Sequence, residues 1–308
     1  MNNRPLVSLC IPTNGVVQWI FPVLDSIYNQ NVNNELFEVV ITDNGNNQEF
    51  KDEIREFMKV HSNIVYAETE ALPFINEIEA YKRATGEFIK FVNHRTRLVD
   101  GALLKLINYV KSNSNNKPIT YFSNGVIPVE KKVYIYDSFD GFVQGLWYWS
   151  SWSTGMAIWK SDFDKLPDDV SDFNELFPHM NVLFNERHRA RYIIDNTIIF
   201  DEIPQGKKPK GSYDLYYAFG VEYPSLIESL LDNGDITLET YKFVLDKNLD
   251  FISQLYWEYN FRKHYCSYDL SGLENMFGKY YTRLQLTKKL LIRSKNSIKN
   301  KLIGFVTK

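Results

Sequence analysis

Cysteine is scarce in this 308-residue chain: Cys10 and Cys266 are the only two, and they lie far apart. Neither a disulfide framework nor a cysteine-based zinc cage can be built from them. No uncharged apolar run reaches the roughly 18 residues that a spanning helix needs. The opening segment MNNRPLVSLCIP has one Arg and no apolar stretch ending in small residues, so it does not read as a secretion signal. A cytoplasmic protein is the expectation. Neither GxGxxG nor GxxxxGK[ST] occurs, which removes the usual marks of dinucleotide and P-loop chemistry. No motif indicates a Ser/His/Asp or Cys/His triad. Acids are also missing from one region: Lys279 to Lys308 carries nine Lys or Arg and no Asp or Glu.

What is present is ordinary in bulk and uneven in detail. Apolar residues make up 44% and charged residues 24%, the balance of a soluble globular protein with a sizeable core. The net charge is −3, yet residues 1–278 hold 26 bases against 38 acids, a net −12. A basic tail on an acidic body points to an anionic surface as partner. Nucleic acid is not expected, because the cations sit mainly in the tail. Aromatic residues reach 15%, and aromatic faces are platforms for sugars and bases alike.

The first hundred residues alternate between two periods. Leu6–Ile11 is an apolar run ended by Pro12, the pattern of a buried strand. Ile20, Val23, Leu24 and Ile27 repeat as one helical face. Phe37–Thr42 is rich in β-branched residues and is stopped by Asp43-Asn44-Gly45-Asn46-Asn47. Further helical faces follow at Phe50, Ile54, Phe57 and Met58, then at Phe74, Ile78 and Tyr81. Strands are read at Ile64–Tyr66 and Phe88–Val92. Asp100 is read as the cap of a helix carrying Leu103, Leu106, Ile107 and Val110. Strands separated by helices at this spacing predict an α/β, doubly wound, mostly parallel sheet. Ligands of such sheets sit beyond the carboxyl ends of the strands. Pro12-Thr13-Asn14, Asp43-Asn44-Gly45 and Asn93-His94-Arg95 are therefore predicted to share one mouth. Residues 120–215 are denser in aromatics, and after Lys210-Gly211 the chain turns helical.

PLVSLCIPTNG, FEVVITDNG and ATGEFIKFVNHRTRLVDGALLKL resemble, in sequence and spacing, the three signature segments of inverting GT-A glycosyltransferases of family 2. The resemblance covers about residues 4–110. Trp149 to Phe184, with Ser-Ser-Trp-Ser-Thr-Gly and Leu-Phe-Pro-His-Met, looks like the acceptor half of the bacterial branch with abequosyl, O-antigen and capsule transferases. The resemblance implies a GT-A, Rossmann-like domain over 1–215, with a nucleotide half near 1–110 and an acceptor half near 111–215. A helical C-terminal region over 216–308 would follow, ending in the basic tail 279–308. The implied activity moves a sugar from a nucleotide-diphosphate sugar to a polysaccharide or lipid-linked acceptor, with inversion.

By the same resemblance Pro12, Thr13 and Asn14 would line the nucleotide pocket, and Asp43, beside Asn44, would accept a hydrogen bond from base or ribose. Asp43-Asn44-Gly45 read without the other segments is a plain turn. Asn76 falls at a pocket position of the family and reads equally as an exposed helix residue. The family places Asp-x-Asp for a divalent cation where this chain has Asn93, His94 and Arg95, and no carboxylate follows before Asp100. Hard cations need anionic oxygen ligands, so no metal or other cofactor is expected. Two readings stay open. Arg95, with Arg97 or His94, supplies the missing positive charge to the diphosphate, or the protein is a catalytically inactive sugar-nucleotide or glycan-binding partner of an active transferase.

Inversion needs one base near the acceptor hydroxyl. In Asn174-Glu175-Leu176-Phe177-Pro178-His179, His179 is the first candidate because its ordinary pKa suits neutral pH, and Glu175 is the second. The alternative for His179 is a packed or capping residue after Pro178. Trp149 and Trp152, in a cluster running from Trp147 to Trp159, are candidates for an acceptor wall, with some of these rings expected in the core. Lys207, Lys208 and Lys210 form a basic, Gly-flanked stretch, either closing on the diphosphate or merely solvated. In the tail, Leu284, Leu291, Ile298, Leu302 and Phe305 fall on about one side of a helix with lysines around them. That pattern suits the inner face of an anionic membrane, or packing on the acidic body.

Overall fold

A computed structural model of the protein describes residues 4–128, 130–204 and 211–306, with 297–306 as backbone alone. The chain forms two compact units that divide between residues 204 and 205.

The first unit opens with β1 (Val7–Thr13), α1 (Val17–Tyr28), β2 (Phe37–Asp43), α2 (Gln48–Met58), β3 (Ile64–Glu68), α3 (Asn76–Arg83), β4 (Phe88–Phe91), β5 (Thr96–Leu98) and α4 (Ala102–Asn113). It continues with β6 (Ile119–Phe122), β7 (Val133–Tyr136), α5 (Phe139–Leu146), β8 (Ala157–Trp159), α6 (Lys160–Phe163), α7 (Pro178–Leu183), β9 (Tyr192–Asp195) and β10 (Phe200–Glu202). The main sheet has the order β3-β2-β1-β4-β8. Its first four strands are parallel and β8 runs antiparallel to β4. β10 pairs with β5, and β6-β9-β7 make a third sheet.

The apolar runs of β1 and β2 are covered on both faces, as parallel strands require. Val7, Leu9 and Ile11 join Ile20 and Leu24 of α1, Phe50 and Ile54 of α2, and Leu103 and Leu106 of α4 in one core. The alternate residue Cys10 turns to α3, its thiol on the Ala80 carbonyl at 3.7 Å.

Two local expectations need correction. β1 runs on through Pro12 to Thr13. Cys10 faces β4, with its carbonyl accepting from the Val92 amide at 2.8 Å, and Pro12 faces the same way. The β1–β4 pairing ends at Cys10–Phe91, so the amide that proline lacks costs no ladder bond. Asp100 is not the cap of α4. That place belongs to Gly101 at φ 77°, whose left-handed backbone admits the chain to the helix without a side-chain bond.

In the second unit, α8 (Leu215–Tyr217), α9 (Tyr223–Asp232), α10 (Leu238–Tyr256) and α11 (Arg283–Val306) follow one another, with π-helical turns at Ala218–Glu222 and Trp257–Phe261. α11 packs on α10 through buried Leu286, through Lys289 on Asp246 at 2.7 Å and Asp250 at 3.0 Å, and through Arg293 on the Asp250 carbonyl at 3.1 Å. Leu284, Leu291 and Ile292 lie exposed on the other side with Lys288 and Lys295.

Candidate functional site

The strand order reverses between β1 and β4, and the carboxyl edge at such a reversal is where α/β sheets open a crevice. β1 ends there at Thr13, β2 at Asp43, and β4 runs out into Asn93-His94-Arg95. The three loops touch. The Asn44 amide donates to the Thr13 carbonyl at 3.1 Å, and a Cβ on Gly45 would stand 2.1 Å from the Asn14 carbonyl oxygen. Only glycine admits that approach. Thr13 Oγ1 and His94 Nδ1 share a 2.9 Å hydrogen bond that ties β1 to the loop after β4.

Asp43 is buried. Its Oδ1 accepts from the Gly45 amide at 2.8 Å and its Oδ2 from the Tyr66 hydroxyl at 3.1 Å. Burial raises its pKa, partly offset by these two bonds. The carboxylate thus has a fixed orientation, and Tyr66 is the partner that sequence reasoning did not single out. Asn76 is 1% exposed, not an exposed helix residue. Its Nδ2 donates to the Thr42 carbonyl at 2.9 Å and the Thr13 carbonyl at 3.4 Å, while Oδ1 accepts from Thr69 at 2.8 Å. Both amide hydrogens hold the strand ends in place, which gives Asn76 a framing role rather than a free pocket face.

Trp19, on the first turn of α1, underlies the loop after β4. The His94 ring meets it edge-on at 5.1 Å, and the Arg95 guanidinium lies 5.4 Å from its ring centroid. Such a cation–π contact is worth about 0.5–1 kcal/mol. Asn93 Oδ1 accepts from the Arg95 amide at 3.0 Å and from Arg95 Nε at 3.4 Å. Burial and the adjacent Arg95 charge push the His94 pKa down to about 3. His94 is therefore neutral near pH 7 and does not supply the positive charge that sequence reasoning allowed it. Arg97 is exposed on β5, so Arg95 is the cation that the loop holds against the crevice.

This set does not suit a hard divalent cation. Its one neutral carbonyl oxygen is already bonded to Arg95, His94 Nδ1 is bonded to Thr13, and a guanidinium occupies the same loop. Among the described residues no group of three His, Cys, Asp or Glu side chains converges as metal ligands.

The aromatic segment is a pair of 3₁₀ turns, Trp147–Ser151 and Ser153–Gly155. Trp149 and Trp152 are partly buried, their rings 6.2 Å apart and nearly perpendicular. Trp159 is fully buried in β8, with Nε1 donating to the Pro118 carbonyl at 2.9 Å; it belongs to the core and not to a wall. The Tyr121 hydroxyl lies on the carbonyls of Trp149 and Trp152. A Cβ on Gly155 would be 2.1 Å from the Tyr121 ring, which accounts for the glycine of Ser-Thr-Gly.

His179 needs correction as the first base. It is 3% exposed. Its Nε2 meets the Ser150 carbonyl at 3.1 Å and its Nδ1 stands 3.6 Å from Glu77 Oε1. A base must reach the proton it removes, and here both ring nitrogens face protein acceptors. Glu175, in contrast, is exposed. It sits on a turn whose Asn174 Oδ1 accepts from the Leu176 and Phe177 amides at 3.0 and 2.9 Å. Lys207, Lys208 and Lys210 lie outside the described residues.

The Glycosyl transferase family 2 model matches residues 8–174, from the start of β1 to the turn before α7. The chain belongs to glycosyl transferase family 2. Within the family it is similar to a poly(ribitol-phosphate) beta-glucosyltransferase of Bacillus spizizenii, 28% identical over 113 residues. That match takes in 36% of this chain and only 18% of the relative. Among solved structures it is similar to S. aureus TarS, with a TM-score of 0.54 at 15% identity over 79% of this chain and 43% of that one. Residues 1–349 of TarS in complex with UDP-GlcNAc give a TM-score of 0.53 at 14% identity, over 82% of this chain and 73% of that one. These likenesses establish the GT-A fold: a mixed α/β domain on a mostly parallel sheet, with a helical C-terminal part.

Proposed function

We propose that this family member transfers a sugar, with inversion, from a nucleoside-diphosphate sugar to a hydroxyl of a surface polysaccharide or lipid-linked acceptor. One observation carries the reading: Thr13, Asp43 and the loop holding Arg95 converge at the strand-order reversal, with Arg95 where the family has carboxylates. Asp43 takes a donor from the base or ribose. Pro12, Thr13, Asn14 and Asn44 line the nucleotide, and Asn76, Asn93 and His94 frame it. Arg95 meets the diphosphate, whose charge grows as the bond to the sugar breaks, and needs no divalent cation to do so. The acceptor oxygen forms a bond to the anomeric carbon, its proton passes to Glu175, and the nucleoside diphosphate leaves with the bonding pair. Trp149 and Trp152 stack on the acceptor. The UDP-GlcNAc bound to TarS and the name of the Bacillus relative support a UDP-sugar and a polyol-phosphate acceptor.

A second reading, a catalytically inactive sugar-nucleotide-binding partner of an active transferase, is favoured by the missing carboxylates and by the burial of His179. Titration calorimetry with UDP-, GDP-, CDP- and dTDP-sugars, in EDTA and in Mn²⁺, followed by product analysis, separates the two. Metal-independent binding of one donor with turnover, lowered about 10²-fold by Glu175→Gln, supports the enzyme. Binding without turnover on any acceptor favours the partner, and no binding defeats both.

We also propose peripheral attachment to an anionic membrane through the outer face of α11. Among the described residues no helix is long and apolar enough to cross a membrane. Leu284, Leu291 and Ile292 are exposed beside Lys288 and Lys295, the mixture that lies in a headgroup region.

A further inference from the structure

A short irregular turn has few carbonyls that helix or strand bonding can satisfy, so its shape depends on what else reaches them. Trp147–Met156 is such a turn, and three side chains from three other elements serve it. The Tyr121 hydroxyl of β6 lies within hydrogen-bond reach of both the Trp149 and Trp152 carbonyls. Lys90 of β4, fully buried, donates to Thr154 at 2.5 Å and Met156 at 3.0 Å. His179 of α7 meets Ser150 at 3.1 Å, the carbonyl between the two tryptophans.

Tyr121 and Lys90 are fixed by their strands. His179 sits on a six-residue helix, and the carboxylate beside its ring is Glu77. Nε2 must carry a hydrogen to meet the Ser150 carbonyl, so that nitrogen is committed to the turn and Nδ1 is the one that faces Glu77. Glu77 is 3% exposed, and its Oε1 has no hydrogen-bond partner within normal reach; His179 Nδ1 stands 3.6 Å from it. Glu77 follows Asn76 on the first turn of α3, and Asn76 holds the ends of β1 and β2.

We propose that Glu77 and His179 are the positioning pair of the acceptor subsite. Glu77 fixes the imidazole, the imidazole fixes the Ser150 carbonyl, and that carbonyl sets the Trp149–Trp152 platform. The assignment of this platform to an acceptor rests on the function proposed above, but the positioning itself does not.

The test uses the full chain labelled with 5-fluorotryptophan. The chain has six tryptophans, and ¹⁹F resonances of Trp149 and Trp152 are assigned with Trp149→Phe and Trp152→Phe. In His179→Ala these two signals are expected to shift or broaden while those of Trp19, Trp159 and Trp257 stay in place. His179→Gln, whose amide can still donate to Ser150, is expected to restore them. Glu77→Leu should reproduce the alanine pattern and Glu77→Gln should not. Unmoved Trp149 and Trp152 signals in a folded His179→Ala protein overturn the proposal. So does a shift of all the signals together, which marks general loosening. If His179→Ala does not fold, the contrast between Glu77→Leu and Glu77→Gln decides. UDP titrated into the same samples reads the other claim: loss of UDP binding by the wild type would sink the donor site and leave the fluorine result standing.

Discussion

Removing the Arg95 guanidinium isolates the claim that a side chain does a metal's work. The side chain lies on a partly buried loop, braced by Trp19 at 5.4 Å and by Asn93 Oδ1. Two unit charges about 4 Å apart interact by about 4 kcal/mol at an effective dielectric of about 20, an upper bound for one phosphate oxygen. Hydrogen bonds to charged groups contribute about 1.5–3 kcal/mol net. Arg95→Ala is therefore expected to weaken UDP binding by about 10- to 150-fold. Arg95→Lys, a point charge without the planar fork, should fall between. Arg97→Ala, on the exposed side of β5, should stay within about 0.5 kcal/mol of wild type, as surface changes do. Calorimetry at low and moderate salt reads all four proteins, and the Arg95 effect should shrink as screening grows. EDTA should leave wild-type affinity where it was. A loss of tenfold or more on chelation, about 1.4 kcal/mol, or equal affinities for Arg95→Ala and wild type, would refute the reasoning.

Three further outcomes are expected. Because the His94 pKa is held at about 3 against about 6.5 unfolded, the unfolded chain binds the extra proton first. Stability from neutral His94 is complete above about pH 6.5 and falls as pH drops toward 3, by up to about 2 kcal/mol between pH 7 and 5; denaturant melts of wild type and His94→Asn should show their difference shrinking by that order, and a constant difference would remove the effect. Gly155→Ala places a methyl 2.1 Å from the Tyr121 ring, which its own hydroxyl bonds hold in place. A loss of about 3 kcal/mol or more is expected, and Tyr121→Leu should recover part of it; an unchanged melt would mean the turn is slack. On α11, the double substitution Leu291→Glu with Ile292→Glu should abolish flotation with anionic vesicles at low salt without lowering the melting temperature, since both side chains are exposed. Truncation before α11 is the poorer perturbation, because it also strips the Leu286, Lys289 and Arg293 packing; flotation equal to wild type, or none by either protein, would leave the helix as a packing element.

Strand and helix periodicity in residues 4–110 sufficed to name the doubly wound sheet and to bring three loops to one edge. Those signals are local: a fully apolar strand between two turn clusters has few other places to go. The signature segments also put Asp43 and Arg95 at the edge, because their positions follow from where strands stop. What sequence could not assign was the use of each polar side chain, since that depends on partners distant along the chain. Gly86 of the Ala-x-Gly-Glu signature is needed because a Cβ there would lie 2.6 Å from Ser8 Oγ. Its amide and that of Thr85 satisfy buried Glu38, a carboxylate across the sheet at the amino end of β2, remote from the site. Asn76 was read as a pocket or exposed helix position, and Glu77 and Lys90 carried no signal; all three are buried struts because α3 and β4 meet their neighbours there. His179 had the right chemistry for a base and the wrong exposure, because Ser150 and Glu77 close on it from other elements. Pattern along the chain decides where elements begin and end. Only the packed structure decides which polar atoms remain for a ligand, because each buried donor or acceptor must first find a partner inside the protein.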